Sequence, residues 1–208
     1  PLRFWAGFRF NEDMGKQVII LHGWRNRRWE GHWQRLAAAA LRKQGHQVFY
    51  PQLPSTDEPN FADWSAVALA ELALAQEANQ GEEVVLIGHS LGSVTWLKLV
   101  SGGLIQSPVS RVLLVAPADP ELVGDLAGFD LSLTGLGTAL ADAASSTTLV
   151  GSDDDQWIPK GINETFGSLG VATVIVPGAK HFSLDDGWGE WAGVINWVND
   201  PASDLRVR

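Results

Sequence analysis

Hydrophobic positions along the chain cluster into short β-rich runs separated by longer helical stretches. Six runs stand out, at residues 18–21, 47–50, 84–87, 111–115, 147–150 and 172–176. Most are near-continuous apolar runs, the pattern of parallel strands buried on both faces. Between them, "HWQRLAAAALRKQG" (32–45) combines helix formers with a terminal glycine, Gly45. "FADWSAVALAELALAQEANQG" (61–81) repeats apolar residues at helical spacing and also ends in glycine, and "SLGSVTWLKLVSGG" (90–103) follows the third run directly. Fainter helical patterns cover 159–169 and 190–199. Residues 118–146 predict one short helix and a loop, too little chain for a cap domain. Strand and helix alternate six times, which predicts an α/β fold with a doubly wound, mostly parallel sheet of about six strands flanked by helices.

With 208 residues the chain suits one domain with a sizeable core. That domain is expected over 17–199, with an N-terminal extension at 1–16 and a C-terminal tail at 200–208. The stretch "PLRFWAGFRFNEDMG" lacks the clean apolar core and small-residue cleavage site of a signal peptide. No run of 18 apolar residues occurs, so no membrane span is expected. The formal net charge of -9 repels phosphate backbones and argues against nucleic-acid binding. Arg25, Arg27 and Arg28, broken by Trp29, read as a solvated loop. The absence of cysteine excludes disulfides, thiolate metal sites and a cysteine nucleophile, and fits a reducing cytoplasm.

In open α/β sheets ligands bind beyond the carboxyl ends of the strands, so the residues after each strand carry the chemistry. After the third run comes Gly88-His89-Ser90-Leu91-Gly92, a G-x-S-x-G elbow between strand and helix. The sharp turn strains Ser90 and projects its hydroxyl from the sheet. Side chains at 88 and 92 would collide with the neighbouring helix and strand. A serine hydroxyl needs a base. Of five histidines, His46 precedes an edge strand, His32 opens a helix, and His89 should point away from the serine. His22, after the first strand, is placed in the pocket wall. His181, in the loop after the last strand, is expected to reach back over Ser90 as the base. An acid should lie between them in sequence, and "GSDDDQWIP" (151–159) supplies three candidates, two of them expected in a solvated turn. The order Ser, Asp, His is that of α/β hydrolases. The oxyanion donors are expected to be the N–H of Leu91 and that of Trp24, beside Gly23. Trp29, Trp157 and Trp188 fall in loops at the same edge and suggest an apolar, partly aromatic pocket, whereas Trp96 and Trp197 read as helix-packing residues.

Taken together, "IILHGW…HWQ", "YPQLPSTDEPNFADW", "VLIGHSLG", "GSDDDQWIP" and "GAKHFS" resemble the small serine hydrolase family named for a retinoblastoma-binding protein, whose bacterial members include YdeN-like hydrolases. The resemblance spans residues 17–199. It implies a compact α/β hydrolase without a cap domain, acting on a carboxylic ester or related acyl bond. The family pattern runs serine, any residue, two acids, two variable residues, a β-branched residue or leucine, then proline. Laid on Ser152 to Pro159, it makes Asp155 the triad acid, with Asp154 as the alternative. Gln156 departs from it, where proline is frequent. The implied enzyme uses Ser90, His181 and Asp155 on a small ester or acyl substrate, with no metal or organic cofactor. No motif points to a protein partner. The rival readings are a non-catalytic interaction module on the same fold, and a lyase or perhydrolase using the same three residues.

Overall fold

The computed structural model of the chain describes residues 15–79 and 81–208. The expected N-terminal extension therefore lies outside the described residues for all but its last two positions. The elements run β1 (Gln17–Leu21), α1 (Trp33–Lys43), β2 (Gln47–Phe49), α2 (Phe61–Ala78), β3 (Val84–His89), α3 (Leu91–Ser101) and β4 (Val109–Val115). They continue with α4 (Pro120–Val123), α5 (Leu136–Ala143), β5 (Ala144–Gly151), α6 (Ile162–Phe166), β6 (Ala172–Ile175) and α7 (Ala192–Asn199). The six strands form one sheet in the order β2-β1-β3-β4-β5-β6, and all five pairings are parallel.

Strand alternation sorts the core into two layers. Ile19, Leu21, Leu86, Val112, Leu114 and Leu149 face the side covered by α2, α3, α5 and α6. Val18, Ile20, Val85, Ile87, Leu113, Val115 and Val150 face the side covered by α1 and α7. Both faces are covered, which is why the central runs carry almost no polar residue. Trp96 and Trp197, read as helix-packing residues, are buried on opposite sides of the sheet. Helices α1 and α2 each start where a side chain satisfies a first-turn N–H group: His32 accepts from Gln34 N and Asn60 from Ala62 N. Gly45, at φ +95°, lets the chain turn out of α1 into β2. The second helix stops at Ala78, short of Gly81.

The stretch 118–146 departs from the expected single helix. It holds α4, capped by the Asp119 side chain on Glu121 N with Pro120 at the first helical position, and α5, which buries Leu136, Leu140 and Ala143. Strand β5 then starts at Ala144, three residues before the apolar run, since its opening residues are the buried Ala144 and the exposed, polar Ser145 and Ser146. Among the described residues, no helix is long and apolar enough to cross a membrane.

Candidate active site

The carboxyl ends of β1, β3, β4 and β5 converge on Ser90. It sits between β3 and α3 at φ 52° and ψ -123°, a conformation that costs a non-glycine residue of order 1–3 kcal/mol. The flanking glycines make the turn possible. A Cβ at Gly92 would come within 2.4 Å of the Leu21 carbonyl oxygen on β1, and one at Gly88 within 2.8 Å of Ser93 Cα on α3. The turn is held by Ser90 N–H, which donates to the Val115 carbonyl at 2.9 Å.

Three side chains form a hydrogen-bonded series. His181 Nε2 lies 2.8 Å from Ser90 Oγ, and His181 Nδ1 lies 2.8 and 3.0 Å from the two oxygens of Asp155. All three residues are buried. Asp155 Oδ1 also accepts from Trp157 N–H at 2.8 Å, which fixes the carboxylate plane. The other two aspartates do not share this position. Asp153 Oδ1 accepts from Gly178 N–H and Asp154 Oδ1 from Lys180 N–H, each at 2.8 Å. They are exposed yet structured, which corrects the expectation of a merely solvated turn. Hydrogen bonds from the Ser152 hydroxyl and then Lys180 N–H hold the Asp154 carboxyl below its ordinary value.

His22 does not stand in the pocket wall. It is fully buried behind the loop after β1, where Trp64 meets its ring edge-on at 5.6 Å. Its Nε2 accepts from Leu53 N–H at 2.9 Å, so Nδ1 carries the proton and donates to the Gly23 carbonyl at 2.9 Å. That bond fixes the plane of the peptide joining Gly23 to Trp24. Gly23 itself is pressed against the elbow: a Cβ there would meet Ser90 Cβ at 2.8 Å. His89 does not turn away either. Its Nε2–H donates to the His181 carbonyl at 2.8 Å, and its ring lies 5.4 Å from that of His181. Burial holds His22 and His32 down to about 4 and His89 well below the ordinary histidine value, so all three are neutral at pH 7.

A cavity of about 470 Å³ opens over Ser90. Trp24, Trp29 and Trp157 line it, together with Leu91, Val123 and Leu184. The rings of Trp24 and Trp157 meet edge to face at 6.1 Å. Trp188 is not among them. It is buried against Phe182 and Trp191, with its indole N–H on the Ala179 carbonyl at 2.9 Å. An aromatic residue in a loop gives the same sequence signal whether it lines a cavity or supports it. Among the described residues, no group of three or more histidines and carboxylates is placed to hold a metal ion.

A family model described as serine hydrolase matches residues 18–200. No curated protein matches the sequence. Among solved structures, the ydeN gene product from Bacillus subtilis is 22% identical, with 88% of this chain and 97% of that chain covered at a TM-score of 0.72. A YdeN-like hydrolase from Pectobacterium atrosepticum is 20% identical over 89% and 90% of the two chains, with a TM-score of 0.68. Est1E from Butyrivibrio proteoclasticus, solved with ferulic acid bound, is 15% identical over 92% and 90%, with a TM-score of 0.62. The sheet order and these neighbours make the fold that of the α/β hydrolases.

Proposed function

The chain belongs to the serine hydrolase family, and from that premise we propose that it is a carboxylesterase-like enzyme working through an acyl-enzyme on Ser90. The observation that carries the proposal is the 2.8 Å approach of His181 Nε2 to Ser90 Oγ, with Asp155 behind the imidazole. His181 takes the Ser90 proton as Oγ attacks the substrate carbonyl carbon. The developing oxyanion is held by the N–H groups of Leu91 and Trp24, neither of which has an acceptor among the described residues. The imidazolium, stabilised by Asp155, then protonates the departing alkoxide. Water, deprotonated in turn by His181, attacks the acyl-enzyme, and the carboxylic acid leaves with Ser90 restored.

The substrate is proposed to be a small ester with a short or aromatic acyl group. The tryptophan-lined cavity supports this, and ferulic acid in Est1E fits the same class. No step requires a metal or organic cofactor. A cytoplasmic location is part of the proposal, supported by the cysteine-free composition. Hydrolysis of p-nitrophenyl acetate tests it. Ser90→Ala and His181→Ala should each lower kcat by about 10³-fold or more while circular dichroism stays that of the parent. A Ser90→Ala protein with near-parental kcat would overturn the proposal.

A further inference from the structure

His181 stands on a loop with little backbone pairing of its own; among the described residues, backbone bonds to 178–183 run from Phe182 N–H to the Ala179 carbonyl and from Trp188 N–H to the Ser183 carbonyl. Side chains hold it. Asp186 Oδ2 accepts from His181 N–H at 3.2 Å. The ring N–H groups of His89, Trp188 and Trp33 donate to the carbonyls of His181, Ala179 and Phe182. The three N–H groups at 178–180 go to side chains at the end of β5. Asp153 Oδ1 accepts from Gly178 N–H at 2.8 Å, Ser152 Oγ from Ala179 N–H at 2.9 Å, and Asp154 Oδ1 from Lys180 N–H at 2.8 Å. The Ser152 hydroxyl donates its own proton to Asp154 Oδ1 at 2.5 Å, which turns its lone pairs toward Ala179. The next residue, Asp155, binds the His181 ring. Four consecutive residues, 152–155, thus face four others, 178–181.

We propose that Ser152, Asp153 and Asp154 are positioning residues that act through His181. This rests on the acyl-transfer reading above. Three successive N–H groups converging on one side are an anion-binding arrangement of the backbone. The loop has no intrinsic reason to adopt it. Lys180 sits at φ 50° and Phe182 at φ 55°, left-handed geometry on both sides of the histidine that costs each residue of order 1 kcal/mol or more. The acceptor oxygens at 152–154 offset that strain and, with Asp186 and His89 on the backbone of His181 itself, set where the imidazole stands. A misplacement of about 1 Å between base and nucleophile can cost about 10²-fold in rate. Asp153 and Asp154 are exposed, so their charge is screened. What matters is an oxygen acceptor at each position, which asparagine keeps and alanine removes.

Steady-state kinetics on p-nitrophenyl acetate decide it, using the Asp153→Ala/Asp154→Ala pair and the Asp153→Asn/Asp154→Asn pair, each made in the parent and in Asp155→Asn. In the parent the alanine pair should lose about 10²-fold in kcat with KM within about twofold, and the asparagine pair should stay within about tenfold. With Asp155→Asn already present, the alanine pair should cost less than about threefold more, because the orientation it protects is already lost. An alanine pair with parental kcat, a loss carried by KM, or equal losses for alanine and asparagine would each overturn the proposal. So would an undiminished loss in the Asp155→Asn background. If the alanine pair fails to fold, the single Asp154→Ala variant is read by the same criteria below its melting midpoint. These results stand apart from the acyl-transfer reading, whose failure would show as activity surviving Ser90→Ala.

Discussion

Both carboxylate oxygens of Asp155 face the single Nδ1 of His181, at 2.8 and 3.0 Å, from a carboxylate that is itself buried. A buried carboxylate needs a partner that can share its charge. Here the partner is the imidazole that would become positive when it takes the Ser90 proton. The Trp157 N–H on Asp155 Oδ1 prevents the carboxylate from rotating away.

Asp155 should therefore be the acid that matters. Asp155→Asn leaves the imidazole free to adopt the wrong tautomer and should lose at least about 10²-fold in kcat. Asp154→Asn and Asp153→Asn keep their backbone contacts and should stay within about tenfold. Kinetics on p-nitrophenyl acetate separate the three. A crippled Asp154→Asn beside a near-parental Asp155→Asn would refute the assignment.

The elbow should tolerate no Cβ at residue 92, because the atom would stand 2.4 Å from the Leu21 carbonyl and 2.6 Å from that of His22. Neither backbone oxygen can move without disturbing β1. Overpacking of this kind costs about 3 kcal/mol, or roughly 6–12 °C in Tm for a chain of this size. Differential scanning fluorimetry of Gly92→Ala should show it. An unchanged Tm would mean that the elbow is not packed against β1.

Acidification should destabilise the fold through the buried histidines. His22 and His32 titrate at about 4 when folded against an ordinary 6.5. A lowered folded value means that between about 6.5 and 4 the unfolded chain binds more protons, so stability falls with pH across that window. At 1.36 kcal/mol per pH unit, each contributes a loss of about 3 kcal/mol by about pH 4. His89, also lowered, adds in the same direction. Urea midpoints should stay level from pH 7.5 to about 6.5 and fall progressively from there to about pH 4.5. A flat profile would contradict the neutral, buried state of these rings.

Acyl-chain preference should follow the cavity. Trp24, Trp29 and Trp157 line an open cavity of about 470 Å³, flat aromatic walls that favour a short or aromatic acyl group. Across a series of p-nitrophenyl esters, kcat/KM should peak at short or aromatic acyl groups. A maximum at C12 or longer would contradict this.

Much of this arrangement was legible in the sequence wherever one physical demand dictates residue type. The central strands must be apolar on both faces, and their runs read within a few residues of the observed bounds. The elbow demands small residues at 88 and 92, and spacing to Pro159 picked out Asp155 once the family pattern was laid on it. Legibility ended where one residue type serves two environments. His22 and Trp188 follow strands as pocket residues do, but both are buried behind the site. Asp153 and Asp154 look like solvated acids, and only the fold shows that their partners lie 25 and 26 residues away in the chain. The polar start of β5 and the eight-residue α5 were too short and too mixed in pattern to be read.

The most direct test of an activated serine needs no known substrate. The folded protein should react with a fluorophosphonate probe, and peptide mapping should place one adduct on Ser90. Ser90→Ala should abolish the label with Tm little changed, and His181→Ala should reduce it sharply. A folded parent that fails to label, or a label that survives Ser90→Ala, would contradict the assignment of Ser90 as the nucleophile.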